Sequence, residues 1–308
     1  SFLPKNLPLI SFLFSLSILI ILFAPLLSPI LDARLEFIYG DFSAIININS
    51  GMDRYQVTYY TFNQHLGALT LDVNRAFMLE SISILANLIH ITDSQIHSVI
   101  ILISLILGSY GIYKLTTLFI KDKKYQALLI PTLTIFYYLN LWSAERLGHI
   151  WIWDAYAIFP LYLYLGLAYI SNEKTKFLLT YSLLYAIYGM IPHNFLYMLF
   201  IHLFLVIFSI IKPPRKIKTT FLLATVPLVI YTLLNMPVLL IAFIVKGATY
   251  PIQITIDQLS MLSRNGTLLN IFTFSNNWWP QVPTSTLNNP LFRATSILIF
   301  ILTFSTIM

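Results

Sequence analysis

The sequence predicts an all-α fold, a polytopic transmembrane helical bundle of about eight spans, on three observations. Hydrophobic residues make up 58% of the 308 residues, charged residues 10%, and mean hydropathy is +0.79. A water-soluble core of this size could not hide so much apolar surface, so lipid must cover it. Eight stretches approach the roughly 20 apolar residues that cross the hydrocarbon layer as a helix. The charges between them also segregate. Of eighteen Lys and Arg, eleven lie at the N-terminus, in three short basic loops or, as Lys114, just ahead of one; ten of the twelve Asp and Glu lie in the alternate loops. The positive-inside bias then predicts a multi-pass cell-membrane protein with a cytoplasmic N-terminus and acidic loops outside.

Each element follows in order. Lys5 precedes the first span, Leu9–Leu31. This stretch is too long for a signal-peptide core and lacks a small-residue cleavage site, so it reads as retained. Residues 32–94 form a long first outer loop. Within it Met78, Ile82, Leu85 and Ile89 recur at helical spacing, with Glu80, Ser83, Asn87 and His90 on another face. That pattern predicts a surface helix, lying at the lipid boundary or packed on the spans. The second span, Gln95–Ile120, ends in Lys121-Asp122-Lys123-Lys124. The third, Tyr125–Trp142, leads to an outer turn with Glu145, Arg146 and His149. The fourth, Asp154–Ile170, ends ahead of Lys174 and Lys176. The fifth and sixth, Phe177–Ile191 and Asn194–Ile211, meet at a tight Pro192-His193 turn. After the basic stretch Lys212 to Lys218 comes the seventh, Thr219–Val245, which Pro227 and Pro237 would kink or split. Residues 246–293 form a second large outer loop, and the eighth span starts near Ala294. Simple alternation puts every basic cluster on one side, which checks the count. Residues 1–308 thus read as a single transmembrane domain. Its start at Ser1 and an apolar run still open at Met308 predict truncation at the C-terminus.

Several classes are disfavoured. The net charge of +6 sits in clusters at span ends, where it meets headgroups, and predicts no nucleic-acid partner. Zero cysteines exclude disulfides, thiolate metal sites and cysteine nucleophiles. No phosphate-binding glycine loop with Lys-Ser/Thr and no His-Glu-x-x-His occurs, against an ATP-driven pump and a zinc metalloprotease. The spans read as carrying hardly any ionisable residue, against a proton-coupled transporter.

Candidate chemistry therefore falls in the outer loops. In Tyr39-Gly40-Asp41-Phe42 the glycine permits a tight turn, and the aspartate at the membrane boundary either binds a cation or accepts a proton, or simply caps a helix. Arg54, beside Asp53, is placed to clamp a phosphate bidentately or to form an inert solvated pair. His149 and Asp154 sit on the second outer turn, where they could face the same cavity as Asp41; their neighbours Trp151 and Trp153 read as interface anchors. His193 lines the site or is merely solvated in its turn. Trp278 and Trp279 offer faces for sugars or belong to the aromatic belt. Asn265-Gly266-Thr267 matches a glycosylation sequon, and Lys114 is expected to snorkel to the headgroups.

The order of these features resembles a known superfamily. A first span leads to an outer loop opening on Gly40-Asp41, then Tyr55-Gln-Val-Thr-Tyr59-Tyr60 and Asn63-Gln-His65-Leu-Gly67. The surface helix follows, then Gly108-Ser-Tyr110-Gly111-Ile-Tyr113-Lys114-Leu115 in the second span and Phe136-Tyr-Tyr138-Leu-Asn140-Leu141 at the end of the third. This resembles the GT-C glycosyltransferases, in particular multi-spanning prokaryotic proteins similar to the membrane domain of arabinofuranosyltransferase D. The resemblance implies transfer of a sugar from a polyprenyl-phosphate donor to a glycan or protein acceptor at the outer membrane face. It also implies that Asp41 serves as base or as ligand to a divalent cation, Mg or Mn. Arg54, His149, Asp154, His193, Trp278 and Trp279 would then bind substrate. The alternative is a non-catalytic membrane protein that transports or scaffolds surface polymers; acids inside the bundle would mark it.

Overall fold

The computed structural model describes residues 6–32, 91–140, 143, 150–189, 192–212 and 217–236. Among the described residues all regular structure is helical. The chain divides into two compact units, one of Ser1–Phe136 with Gly148–Ala248 and one of Tyr137–Leu147 with Thr249–Met308. The helices are α1 (Leu7–Leu22), α2 (Ala24–Leu27) with a 3-10 turn (Ser28–Ile30), α3 (Asp93–Phe119), α4 (Lys123–Leu139), α5 (Ile150–Asn172), α6 (Thr175–Tyr188), α7 (Pro192–Ile211) and α8 (Ile217–Leu234). The expected surface helix and the second large outer loop lie outside the described residues, as does the eighth span.

Among the described residues two helices are long and apolar enough to cross a membrane, Gln95–Phe119 within α3 and Ile217–Leu234, which is α8. The pair α1 and α2 with its 3-10 turn, bent by 76°, is long and apolar enough only when its two parts are taken together, as a broken span or a re-entrant loop. The sequence predicted one uninterrupted span over Leu9–Leu31; instead the helix breaks at Phe23. Pro25 accounts for it, because proline has no N–H to bond the preceding turn and its ring clashes there.

Helix ends follow local chemistry. At α3 the Thr92 hydroxyl accepts from the Gln95 N–H at 3.3 Å, while the Gln95 side chain accepts from the Thr92 N–H at 2.9 Å. This reciprocal pair satisfies two donors that the first turn leaves open. Asp122 starts α4 by accepting from the Lys124 N–H at 2.8 Å. Between α5 and α6 the chain turns in two residues, and Glu173 adopts φ 56°, a left-handed conformation that asparagine, aspartate and glycine reach more easily.

In the larger unit α5 is the hub, packing against α3, α6, α7 and α8. Its side chains are buried nearly all round, among them Ile158, Leu161, Tyr162 and Leu165, as expected of a helix enclosed by others. Two glycines set the spacing. A Cβ at Gly111 of α3 would stand 2.1 Å from the Leu161 backbone nitrogen, so the two helix backbones touch there. Small residues permit such close crossings. A Cβ at Gly166 of α5 would instead meet the end of the Leu205 side chain at 2.4 Å. The outer faces stay apolar: Phe14 and Ile21 on α1, Phe200, Phe204 and Ile211 on α7, and Phe221 and Leu233 on α8 are exposed. Apolar faces that broad fit lipid better than water.

Candidate functional site: a buried carboxyl between three helices

The described polar chemistry centres on Asp154. It lies in the second turn of α5 and is only 7% exposed. The hydroxyl of Ser104 on α3 donates to its Oδ1, and Tyr188 at the end of α6 hydrogen-bonds both Asp154 and Ser104. One carboxyl group thus ties three helices together. A buried polar group is tolerated only when it finds such partners.

Neighbouring residues extend this cluster. Trp153 is fully buried against Phe23, ring centroids 5.8 Å apart, at the break between α1 and α2. The Ser98 hydroxyl of α3 donates to the Leu26 carbonyl at 2.8 Å, which engages a backbone group near the bend. His97 is buried beside it. It precedes Ser104 by two helical turns, so both lie on one face of α3. The bend, the Ser98 tie and the Asp154 cluster therefore gather where the chain leaves α2 toward residues 33–90.

A second polar group lies deeper in the core. Tyr162 and Tyr181 stack at 4.2 Å, and the Tyr181 hydroxyl meets Nδ1 of His202 at 2.9 Å. Nε2 of His202 faces the Ala224 carbonyl at 3.4 Å. A carbonyl can only accept, so Nε2 carries the hydrogen and Nδ1 of the neutral ring accepts from tyrosine. Tyr185 completes the cluster, with its ring 5.4 Å from His202 and 5.6 Å from Tyr231.

The expected site residues distribute as follows. Asp41, Arg54, His149, Trp278 and Trp279 lie outside the described residues. His193 is the second residue of α7, in a helix rather than a turn, and its side chain is not among those described. Asp154 is not on an outer turn: α5 begins at Ile150 and carries the carboxyl into the bundle. Trp153 is no interface anchor, because it is wholly buried with its ring against Phe23. The expectation of spans nearly free of ionisable groups fails as well, since His97, Asp154 and His202 are all buried in the helices. Sequence reasoning missed Ser104, Tyr188, Tyr181 and His202. Only His202 left a signal, as an ionisable residue inside an apolar run. Among the described residues no three His, Cys, Asp or Glu side chains come together to hold a metal ion.

Two motifs that carried the family resemblance have structural tasks. Gly111 makes the close crossing onto α5. In the smaller unit Asn140, at the end of α4, donates from Nδ2 to the Tyr137 carbonyl at 2.6 Å and accepts the Ser143 N–H at 2.9 Å. Comparison of the chain with protein-family models, with curated proteins and with solved structures finds no match.

Proposed function

We propose that the chain is a multi-pass membrane protein of about eight spans that transfers a sugar from a polyprenyl-phosphate donor at the outer membrane face. The observation that carries this reading is the segregation of charge, with nine of twelve acidic residues in alternate loops or at their borders, Asp154 set apart inside α5, and the basic clusters opposite. Exposed apolar faces and the apolar helices support the membrane part. The transferase part rests on the likeness to GT-C enzymes in the order of its segments. In it Asp41 takes the proton of an acceptor hydroxyl as that oxygen attacks the anomeric carbon, and the lipid phosphate leaves. Arg54 pairs with the phosphate, and His149, His193, Trp278 and Trp279 hold the sugars. In the other form of the same step Asp41 instead holds a divalent cation, Mg or Mn, against the leaving phosphate.

The test uses membranes bearing the chain and a polyprenyl-phosphate-linked sugar. Asp41→Asn is expected to abolish transfer while insertion is unchanged; undiminished transfer removes Asp41 from the chemistry.

A second reading, a non-catalytic protein that transports or scaffolds surface polymers, is favoured by one observation. Asp154 lies inside the bundle with Ser104 and Tyr188, and ionisable groups in such positions commonly mark pathways through a membrane protein. A parent chain without transfer activity, whose Asp154→Asn variant stops polymer export, selects this second reading.

A further inference from the structure

The end of α3 away from Asp154 carries an unusual cation. Lys114 stands five residues before the helix ends at Phe119, about 7.5 Å along the axis at 1.5 Å per residue. Its Nζ lies 5.3 Å from the centroid of the Tyr110 ring and 5.3 Å from that of Tyr113. Phe12 of α1 packs on both rings, with centroids 6.3 Å from Tyr110 and 5.3 Å from Tyr113, and so fixes them. Among the described residues this ammonium meets rings and no carboxylate. Two aromatic faces compensate part of a cation's lost hydration, but they supply no counter-charge.

We infer that Lys114, Tyr110 and Tyr113 receive the phosphate of an anionic membrane lipid in the seam between α1 and α3. Three features point to a lipid rather than to a dissolved anion. Tyr110 is 38% exposed, so the cage opens outward rather than into the core. The residues about one turn away, Leu9 and Leu13 on α1 and Ile106 on α3, are exposed and apolar, which suits acyl chains and offers nothing to a soluble ion. The charge at this end is also favourable. Lys121, Lys123 and Lys124 follow α3 directly. At the ends of α5 and α7 the Lys212 ammonium donates to Ser171 at 3.1 Å. Clusters of this sign draw anionic headgroups to the leaflet they face.

The inference rests on the membrane reading proposed above. The experiment purifies the full chain from membranes in mild detergent and adds phosphatidylglycerol or phosphatidylcholine. Retained lipid is counted by native mass spectrometry for the parent, Lys114→Met and Lys114→Arg. The parent and Lys114→Arg are expected to retain phosphatidylglycerol several-fold better than Lys114→Met, with phosphatidylcholine held equally weakly by all three. Should Lys114→Met not fold, Tyr113→Leu takes its place, with the same loss expected. Equal phosphatidylglycerol retention by parent and variant overturns the lipid site alone. Displacement of the lipid by millimolar inorganic phosphate overturns it too, by showing a soluble-anion site. A chain that never enters membranes overturns both this site and the membrane reading.

Discussion

At the scale of the residue, the Asp154 carboxyl matters for what it accepts. Asp154→Ala would leave the Ser104 and Tyr188 hydroxyls in the bundle without their shared acceptor. Stranded buried hydroxyls cost about 1 to 3 kcal/mol each, so a loss of about 3 kcal/mol is expected. Asp154→Asn keeps a carbonyl in place and is expected to lose about 1 kcal/mol. Unfolding of the purified chain in detergent checks the difference, and equal losses would show that hydrogen bonding is not what the carboxyl contributes. Little of this was legible beforehand. The sequence placed Asp154 on the second outer turn, at the start of the fourth span, with Trp151 and Trp153 beside it read as interface anchors. Burial of Trp153 comes from Phe23, more than a hundred residues earlier in the chain, and no local pattern encodes such a partner. The same holds for Tyr181 and His202, whose pairing joins two helices that each look merely apolar.

At the scale of the element, the two packing glycines should respond differently to the same substitution. Gly111→Ala drives a methyl group into the backbone of α5, which cannot yield without moving a helix. Gly166→Ala meets only the flexible end of Leu205. Overpacking costs about 1 to 3 kcal/mol, and Gly111→Ala is expected near or beyond the top of that range, Gly166→Ala near the bottom. Midpoints of thermal unfolding measured side by side would rank them; a reversed order would show that α3 and α5 are not in contact at Gly111. The helices themselves were well foreshadowed. Long apolar runs located α3, α4, α5, α6 and α7 to within a few residues, and the start but not the end of α8, because burial in lipid or in a bundle demands the same composition. The bend after α1 was missed although Pro25 was in plain view, since hydropathy averages across a break. Gly111 was noticed as part of a motif, but its task required knowing which helix lies opposite.

At the scale of the whole molecule, the absence of cysteine makes the proposed topology directly measurable. Single cysteines at Lys123, Lys174 and Lys218 are expected to react with a membrane-impermeant maleimide only after the cytoplasmic side is opened. One at Asn265 should react in intact cells. Labelling of residue 123 and residue 218 from opposite sides would break the alternation of spans. The bent first helix has a consequence of its own in such an arrangement. The 16 residues of α1 rise about 24 Å, against about 30 Å for an average hydrocarbon layer. In the proposed topology, with α1 crossing and α2 veering aside at Phe23, a shortfall of about 6 Å would be met by the lipids. Acyl chains beside the exposed Ile21 and Leu22 would be drawn inward, and the outer leaflet would form a shallow dimple at the end of α1. A dimple of that kind lowers the barrier for a polar headgroup to reach the protein, and it would make the chain sensitive to the thickness of the bilayer that holds it.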